Sequence, residues 1–231
     1  MMNKLCTIAM RGGSKGVQNK NLKNMNGKPL MYYTIQQALN CELFDRVVVS
    51  TDSKEISSSA QSFGADAWFI RPSELATDEA AKIPVIRHAL IEAEKYYNQK
   101  FDLIIDLDAT SPLRNIFDIQ EAYKQFLNED ADILLTACRS RKNPYFNMVE
   151  SINGKIKLVK KIEKAPVRRQ DAPQTFDMNA SIYIWKRNIL LKNNSLFTEK
   201  TSLYIMPEER SIDIDNKLDW DFVEYYMNKS L

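Results

Sequence analysis

Leu5-Cys6-Thr7-Ile8-Ala9-Met10-Arg11-Gly12-Gly13-Ser14-Lys15-Gly16 runs from a short, mostly apolar segment straight into a basic, glycine-bearing loop. Residues 5–10 read as a buried β-strand. The loop that follows extends to Gly27 and also carries Lys20 and Asn21. Glycines let backbone N–H groups turn toward an anion, and Arg11 and Lys15 offer formal charge against phosphate. Ligands of open α/β sheets sit at such strand ends. The spacing matches neither the P-loop nor the dinucleotide-binding G-x-G-x-x-G, so on its own the segment reads equally as a basic surface loop.

Working outward, β-rich runs alternate with helical patterns. Pro29 suits a first helical turn, and Met31, Ile35 and Ala38 repeat at helical spacing. Arg46 to Ser50 reads as a strand, and Thr51-Asp52-Ser53 caps a helix through about Phe63. A helix from about Ala80 to Tyr97, a strand from Asp102 to Leu107, a helix near Phe117 to Asn128 and a strand from Ile133 to Cys138 follow. This alternation predicts an α/β fold, a mostly parallel sheet with helices on both faces, as one domain over residues 1–231. The pattern changes from Arg139 to Asp177, a stretch rich in Lys, Arg, Pro and Gln that reads as an excursion, either a surface loop or a dimerisation arm. The chain re-enters at Ala180 to Trp185. It ends with a strand-like Leu203 to Met206, the segment Ser211 to Asp215 and a helix from about Lys217 to Asn228.

With 44% hydrophobic residues among 231, the chain can bury a sizeable core. Its 32 Lys and Arg against 30 Asp and Glu argue against a general nucleic-acid or membrane-surface binder. Three scattered cysteines without a C-x-x-C give no zinc or disulfide framework and fit reduced thiols in a cytoplasmic protein. Asn3 and Lys4 lead into too short an apolar stretch for a signal peptide, and no run approaches a membrane span.

Several acidic and basic groups are candidates for chemistry. In an extended segment Asp213 and Asp215 face the same way, with Ile212 and Ile214 turned inward. Paired carboxylates suit Mg²⁺ beside phosphate oxygens; a solvated edge strand would show the same pattern. Asp106-Leu107-Asp108 is a second D-x-D at a strand end, able to hold a metal or a sugar hydroxyl, or to cap the next helix. Arg71 is a candidate contact to a base or phosphate. Arg168-Arg169-Gln170 with Gln174 could grip a carboxylate, since arginine offers a bidentate fork. His88, the single histidine, reads as a packing or surface residue.

Six segments in order resemble the CMP-sialic acid synthetases, or acylneuraminate cytidylyltransferases. They are Arg11 to Gly16 with Lys20-Asn21; Val49-Ser50-Thr51-Asp52; Thr110-Ser111-Pro112-Leu113-Arg114; Arg169-Gln170 with Pro173-Gln174; Asn179 to Tyr183; and Ser211 to Asp215. The resemblance implies a nucleotidyltransferase fold with a swapped dimer arm, hence a homodimer, acting on CTP and a nine-carbon sugar acid. It assigns Arg11, Gly12, Gly13, Ser14, Lys15, Lys20 and Asn21 to the nucleotide's phosphates and ribose, and Arg71 to cytosine. It assigns Asp213 and Asp215 to Mg²⁺ or Mn²⁺, and Lys161, Arg169, Gln174 and Asn179 to the sugar or phosphate side. Arg11, Lys15, Lys20 and Asp108 are the residues expected to serve the reaction itself, an in-line attack of the sugar's anomeric hydroxyl on the α-phosphate. The general base stays open between Asp108, a metal-bound water and the substrate's own carboxylate.

Two positions depart from the sialic acid enzymes: Leu107-Asp108-Ala109 stands where Leu-Gln-Pro is usual, and Lys82 where serine is common. Asp108-Ala109-Thr110, Pro144-Tyr145-Phe146-Asn147 and Asp177-Met178-Asn179-Ala180-Ser181 are more similar to the branch that activates legionaminic acid. A buried Asp108 in need of a donor, beside the small Ala109, Ala180 and Ser181, would favour that sugar's extra N–H at C7. The rivals are a synthetase for the eight-carbon Kdo, a metal-dependent glycosyltransferase using a D-x-D, and a silent nucleotide-binding regulator.

Overall fold

A computed structural model describes residues 2–229. The opening strand β1 spans Lys4–Ala9, one residue earlier than predicted. The loop after it holds an unpredicted two-residue hairpin, β2 (Asn24–Met25) and β3 (Lys28–Pro29), turning at Asn26 and Gly27, both with positive φ. Asn-Gly is the sequence signal for such a turn. Pro29 ends β3 and stands just outside the helix α1 (Leu30–Asn40), as its cap rather than in its first turn. Strand β4 (Arg46–Ser50) and helix α2 (Lys54–Ser62) follow, the helix capped by Ser53, which accepts from the Ile56 N–H. Helix α3 (Lys82–Tyr97) stops at Asn98 in the left-handed conformation that commonly ends helices. Strand β5 (Leu103–Leu107) leads to α4 (Ile116–Asn128), which opens with a reciprocal cap between Asn115 and Asp118.

Beyond β6 (Ile133–Arg139) the chain leaves the sheet. The excursion contains a hairpin, β7 (Val149–Ile152) with β8 (Lys155–Leu158), whose strands pair only with each other. Val149, Ile152 and Ile156 are exposed on it. The return strand β9 (Phe176–Lys186) begins four residues before the predicted Ala180. Helix α5 (Arg187–Lys192), strand β10 (Thr201–Ile205) and helix α6 (Lys217–Lys229) complete the chain. Residues 211–215 belong to no strand.

The main sheet has the order β10-β6-β9-β5-β1-β4. The β1–β4, β1–β5 and β6–β10 pairs are parallel, and β9 runs antiparallel between β5 and β6. Alternate residues serve opposite faces. Cys6, Ile8, Val47, Val49, Ile105 and Ile184 meet α1, α2 and α4 on one side, and Leu5, Val48, Ile104, Tyr183 and Trp185 meet α3 and α5 on the other. Because both faces are covered, the parallel strands carry continuous apolar runs.

The chain passes from β1 outward to β4 and then crosses to β5 on the other flank of β1. A crevice therefore opens above the carboxyl end of β1, where such sheets bind ligands. The turns after β1, β4 and β5 face it, and the segment after β10 reaches it. Among the described residues no helix is long and apolar enough to cross a membrane.

Candidate active site

The cleft above β1 has a volume of about 400 Å³. Arg11, Ser14, Lys15, Gly16, Lys20 and Asn21 line it from the first loop; Asp213 and Asp215 line it from the segment after β10. Local packing brings these two segments together. Val17 of the loop and Ile214 between the aspartates are buried in one small core with Met25, Leu30, Trp220 and Val223. Lys20 donates from Nζ to the Ile214 carbonyl and stands 4.0 Å from Asp215 Oδ1. A Cβ on Gly16 would lie 1.8 Å from the Asp215 carbonyl oxygen, so glycine is what permits the approach. The buried Asn21 donates to the Arg11 carbonyl at 3.1 Å and braces the loop. Gly12 donates its N–H to Asp52 at 2.9 Å, and neither Gly12 nor Gly13 lines the cleft. Arg11 and Lys15 are both paired with Asp78.

The two aspartates sit differently. The Asp215 side chain is 79% exposed, whereas Asp213 Oδ1 is buried without a hydrogen-bond partner. Burial, with the charges of Asp108 and Asp215, pushes Asp213 up to about 6, against a downward pull from the neighbouring Thr110 hydroxyl. A buried carboxylate oxygen lacking a donor, beside further negative charge, fits a divalent cation. Among the described residues no three His, Cys, Asp or Glu side chains form a complete metal cage. Two carboxylates that leave positions for phosphate oxygens and water are the usual arrangement for Mg²⁺ with a nucleotide.

The other D-x-D is already engaged. Lys82 Nζ lies 2.8 Å from Asp108 Oδ2, 3.3 Å from Asp106 Oδ2 and 3.5 Å from the Ala180 carbonyl, and 4.5 Å over the Tyr183 ring. Thr110 donates to Asp108 Oδ1 from its N–H (3.1 Å) and its hydroxyl (2.7 Å), and Thr7 donates to Asp106 at 2.7 Å. Burial alone would lower the lysine, but the two carboxylates hold it well above the ordinary range. Burial would likewise raise Asp108, but Lys82 and Thr110 keep it well below. Asp108 therefore has its donors within the protein, contrary to the expectation that it awaits one from the sugar. An ionised carboxylate so stabilised is a weak general base. A D-x-D metal site at 106 and 108 would require both carboxylates that Lys82 occupies.

Arg71 is buried, with Nη2 donating to the Met10 carbonyl at 3.0 Å and Nε without a partner. It lines the cleft together with Leu75, Ala80 and Val85, on the flank formed by the α2–α3 connection and the start of α3. Arg169 and Gln174 lie apart from the cleft. They line a second cavity of about 320 Å³ with Arg139, Ser140, Asn143 and Gln170, at the root of the excursion. Lys161 is exposed on the excursion and lines neither cavity. Asn179 departs from its expected role as a sugar contact. It is buried, accepts from Thr136 Oγ1 at 2.7 Å and donates to Ser211 Oγ at 3.0 Å, so it secures the start of the aspartate-bearing segment. Arg210, bidentate to the buried Asp118 at 2.8 and 2.9 Å, fixes the same turn. His88 packs against the Phe69 ring, as its helical setting suggested.

The family described as Cytidylyltransferase matches residues 5–224. The chain belongs to the cytidylyltransferase family. Two relatives are similar over nearly their whole length. One is the Post-translational flagellin modification protein B of Campylobacter coli, 47% identical over 97% of this chain and 95% of the relative. The other is the CMP-N,N'-diacetyllegionaminic acid synthase of Campylobacter jejuni subsp. jejuni serotype O:2, 48% identical over 97% and 94%. Among solved structures, a CMP:2-keto-3-deoxy-manno-octonic acid synthetase complexed with CTP superposes with a TM-score of 0.70 over 99% of this chain and all of that one. At 16% identity it shares the fold.

In this cytidylyltransferase Asp78 carries no signal in the sequence, and Asp52 stands there only within a helix-capping segment and a family motif. Asp78 lies within the Thr77–Ala81 connection and Lys82 opens α3 directly after it, where no motif marks them. Lys82 was visible only as a departure from the family's serine; its partners lie 24 and 26 positions downstream.

Proposed function

We propose that this cytidylyltransferase transfers CMP from CTP to the anomeric hydroxyl of a nine-carbon 2-keto sugar acid, with N,N'-diacetyllegionaminic acid the favoured substrate, and releases pyrophosphate. The observation that carries the reaction is the meeting, in one cleft, of the basic loop from Arg11 to Lys20 with Asp213 and Asp215. The name of the C. jejuni relative, at 48% identity, supports the choice of sugar.

In this reading the triphosphate lies along the loop, with Arg11 and Lys15 exchanging Asp78 for phosphate oxygens. Arg71 reads the cytosine beside Leu75 and Val85. Asp213 and Asp215 would hold Mg²⁺ or Mn²⁺, which supplies charge neutralisation at the phosphate oxygens. The anomeric hydroxyl oxygen forms a new bond to the α-phosphorus and gives its proton to water or to the substrate's own carboxylate, as the bond to the β-phosphate oxygen breaks; Lys15 and Arg11 steady the departing pyrophosphate. Lys20 keeps loop and aspartates in register, so positioning and electrostatics carry the catalysis.

The cavity with Arg169 and Gln174 supplies a guanidinium and an amide for the sugar acid. The enzyme works as a cytoplasmic homodimer in which the 139–177 excursion, with its exposed Val149, Ile152 and Ile156, reaches the partner and carries Lys161 toward the partner's cleft. Light scattering checks the dimer. The substrate is tested by pyrophosphate release at fixed CTP: kcat/KM should be higher for N,N'-diacetyllegionaminic acid than for N-acetylneuraminic acid. Equal values, or the reverse order, would remove the sugar assignment and leave cytidylyl transfer standing.

A further inference from the structure

Asp52 lies behind the nucleotide cleft rather than in it, on the turn between β4 and α2. One of its oxygens, Oδ1, faces two functional elements at once. It accepts the Gly12 N–H at 2.9 Å, and it stands 3.7 Å from Nη2 of Arg71. Both elements are otherwise tied to the same corner of the sheet. The Arg71 N–H donates to the Thr51 carbonyl at 2.8 Å, its Nη2 to the Met10 carbonyl at 3.0 Å, and the Met10 N–H to the Ser50 carbonyl at 2.9 Å. The loop is seated tightly there, since a Cβ on Gly12 would come within 3.3 Å of Ser53 Cβ.

We propose that Asp52 is a positioning residue that couples base reading by Arg71 to the geometry of the phosphate loop at Gly12. The proposal rests on the assignment of Arg71 to the base. Holding a guanidinium in place out of water is costly without a counter-charge. Asp52 supplies it at 3.7 Å, opposing the burial that draws Arg71 downward from the usual arginine range. Because the same oxygen fixes Gly12, a displacement of Arg71 by an ill-fitting base alters the hydrogen bond that sets the loop. Base choice and phosphate placement are then linked through one atom.

The two duties can be separated chemically. Asp52→Asn keeps a carbonyl oxygen for the Gly12 N–H and removes the charge facing Arg71; Asp52→Ala removes both. With Asp52→Asn, KM for CTP should stay within about threefold of the parent, while the preference for CTP over UTP in kcat/KM falls by about tenfold, the scale of coupling between residues that face one another. Asp52→Ala should lose the same preference and also raise KM for CTP by about tenfold. In an Arg71→Ala background, Asp52→Asn should leave the CTP:UTP ratio unchanged, because coupled residues are not additive. Arg71→Ala alone tests the assignment beneath: if it leaves the ratio intact, base reading by Arg71 and the coupling both fall. If Arg71→Ala erodes the ratio and Asp52→Asn does not, or if the two effects add, the coupling alone is overturned.

Discussion

Gly16→Ala probes the joint on which the site depends. A Cβ at residue 16 would lie 1.8 Å from the carbonyl oxygen of Asp215, a contact with backbone that no rotamer can relieve. Even the shortest tolerable separation, about 3 Å, requires the loop and the aspartate segment to part by roughly 1.2 Å. Gly16 has no positive φ, so the perturbation is steric and not conformational. The residue is exposed, which leaves the sheet core undisturbed, and thermal stability should fall only slightly. A misplacement of about 1 Å between phosphate-binding and charge-stabilising groups costs on the order of a hundredfold in rate. Gln18→Ala, at an exposed position of the same loop that does not line the cleft, is the control. Pyrophosphate release under saturating sugar should therefore fall about a hundredfold in Gly16→Ala and less than about threefold in Gln18→Ala. If the two variants behave alike while both stay folded, the loop and the aspartates do not act as one unit.

Asp213→Asn and Asp215→Asn should each lower turnover by at least about a hundredfold at limiting Mg²⁺, with unchanged melting; near-parent rates in both would refute the metal assignment. Lys82→Met leaves Asp106 and Asp108 buried without their cation, which costs about 3 kcal/mol or more and should lower Tm by roughly 6–12 °C. That loss should shrink as the pH is lowered and the carboxylates take up protons; calorimetry across pH checks both points. Glu94 gives a pH-dependent contribution to stability: burial would raise it, but the fork of Arg187, Lys100 and the Phe101 N–H bring it from 4.5 down to about 2. A depressed carboxylate stabilises above its unfolded value and loses that contribution as pH falls through the folded one. Denaturation of Glu94→Gln should thus show a deficit of about 3 kcal/mol at neutral pH that disappears between pH 4.5 and about 2.

The strands and helices that face the two cores were legible because burial on both faces leaves a plain mark: continuous apolar runs at residues 47–49 and 103–105, and helical spacing at Met31, Ile35 and Ala38. The first turns of β9 were not. Its register shifts against β6 between Leu135 and Ala137, and Ala180 takes a positive φ, so Asp177, Met178 and Asn179 show no clean alternation. Nor could the sequence tell that β9 runs antiparallel, since direction comes from how the excursion returns. Asp213 and Asp215 both line the cleft, but not through the same-face geometry of a strand: the segment lies in no ladder, so one carboxylate is buried and the other open. Asn179 is a sugar contact only by the family resemblance; the structure commits its polar atoms to Thr136 and Ser211. Asp78, Lys82 and Asp52 derive their meaning from partners far along the chain, and spacing alone carries no trace of such pairs.

The central claim is that this enzyme joins CMP to a nine-carbon sugar acid. Its most direct test is mass spectrometry of a single reaction containing CTP, Mg²⁺ and equimolar N,N'-diacetyllegionaminic acid, N-acetylneuraminic acid and Kdo. The conjugate of CMP with N,N'-diacetyllegionaminic acid should dominate, with pyrophosphate in equal amount. Absence of any CMP–sugar conjugate, or a product formed mainly from the eight-carbon acid, would contradict the account.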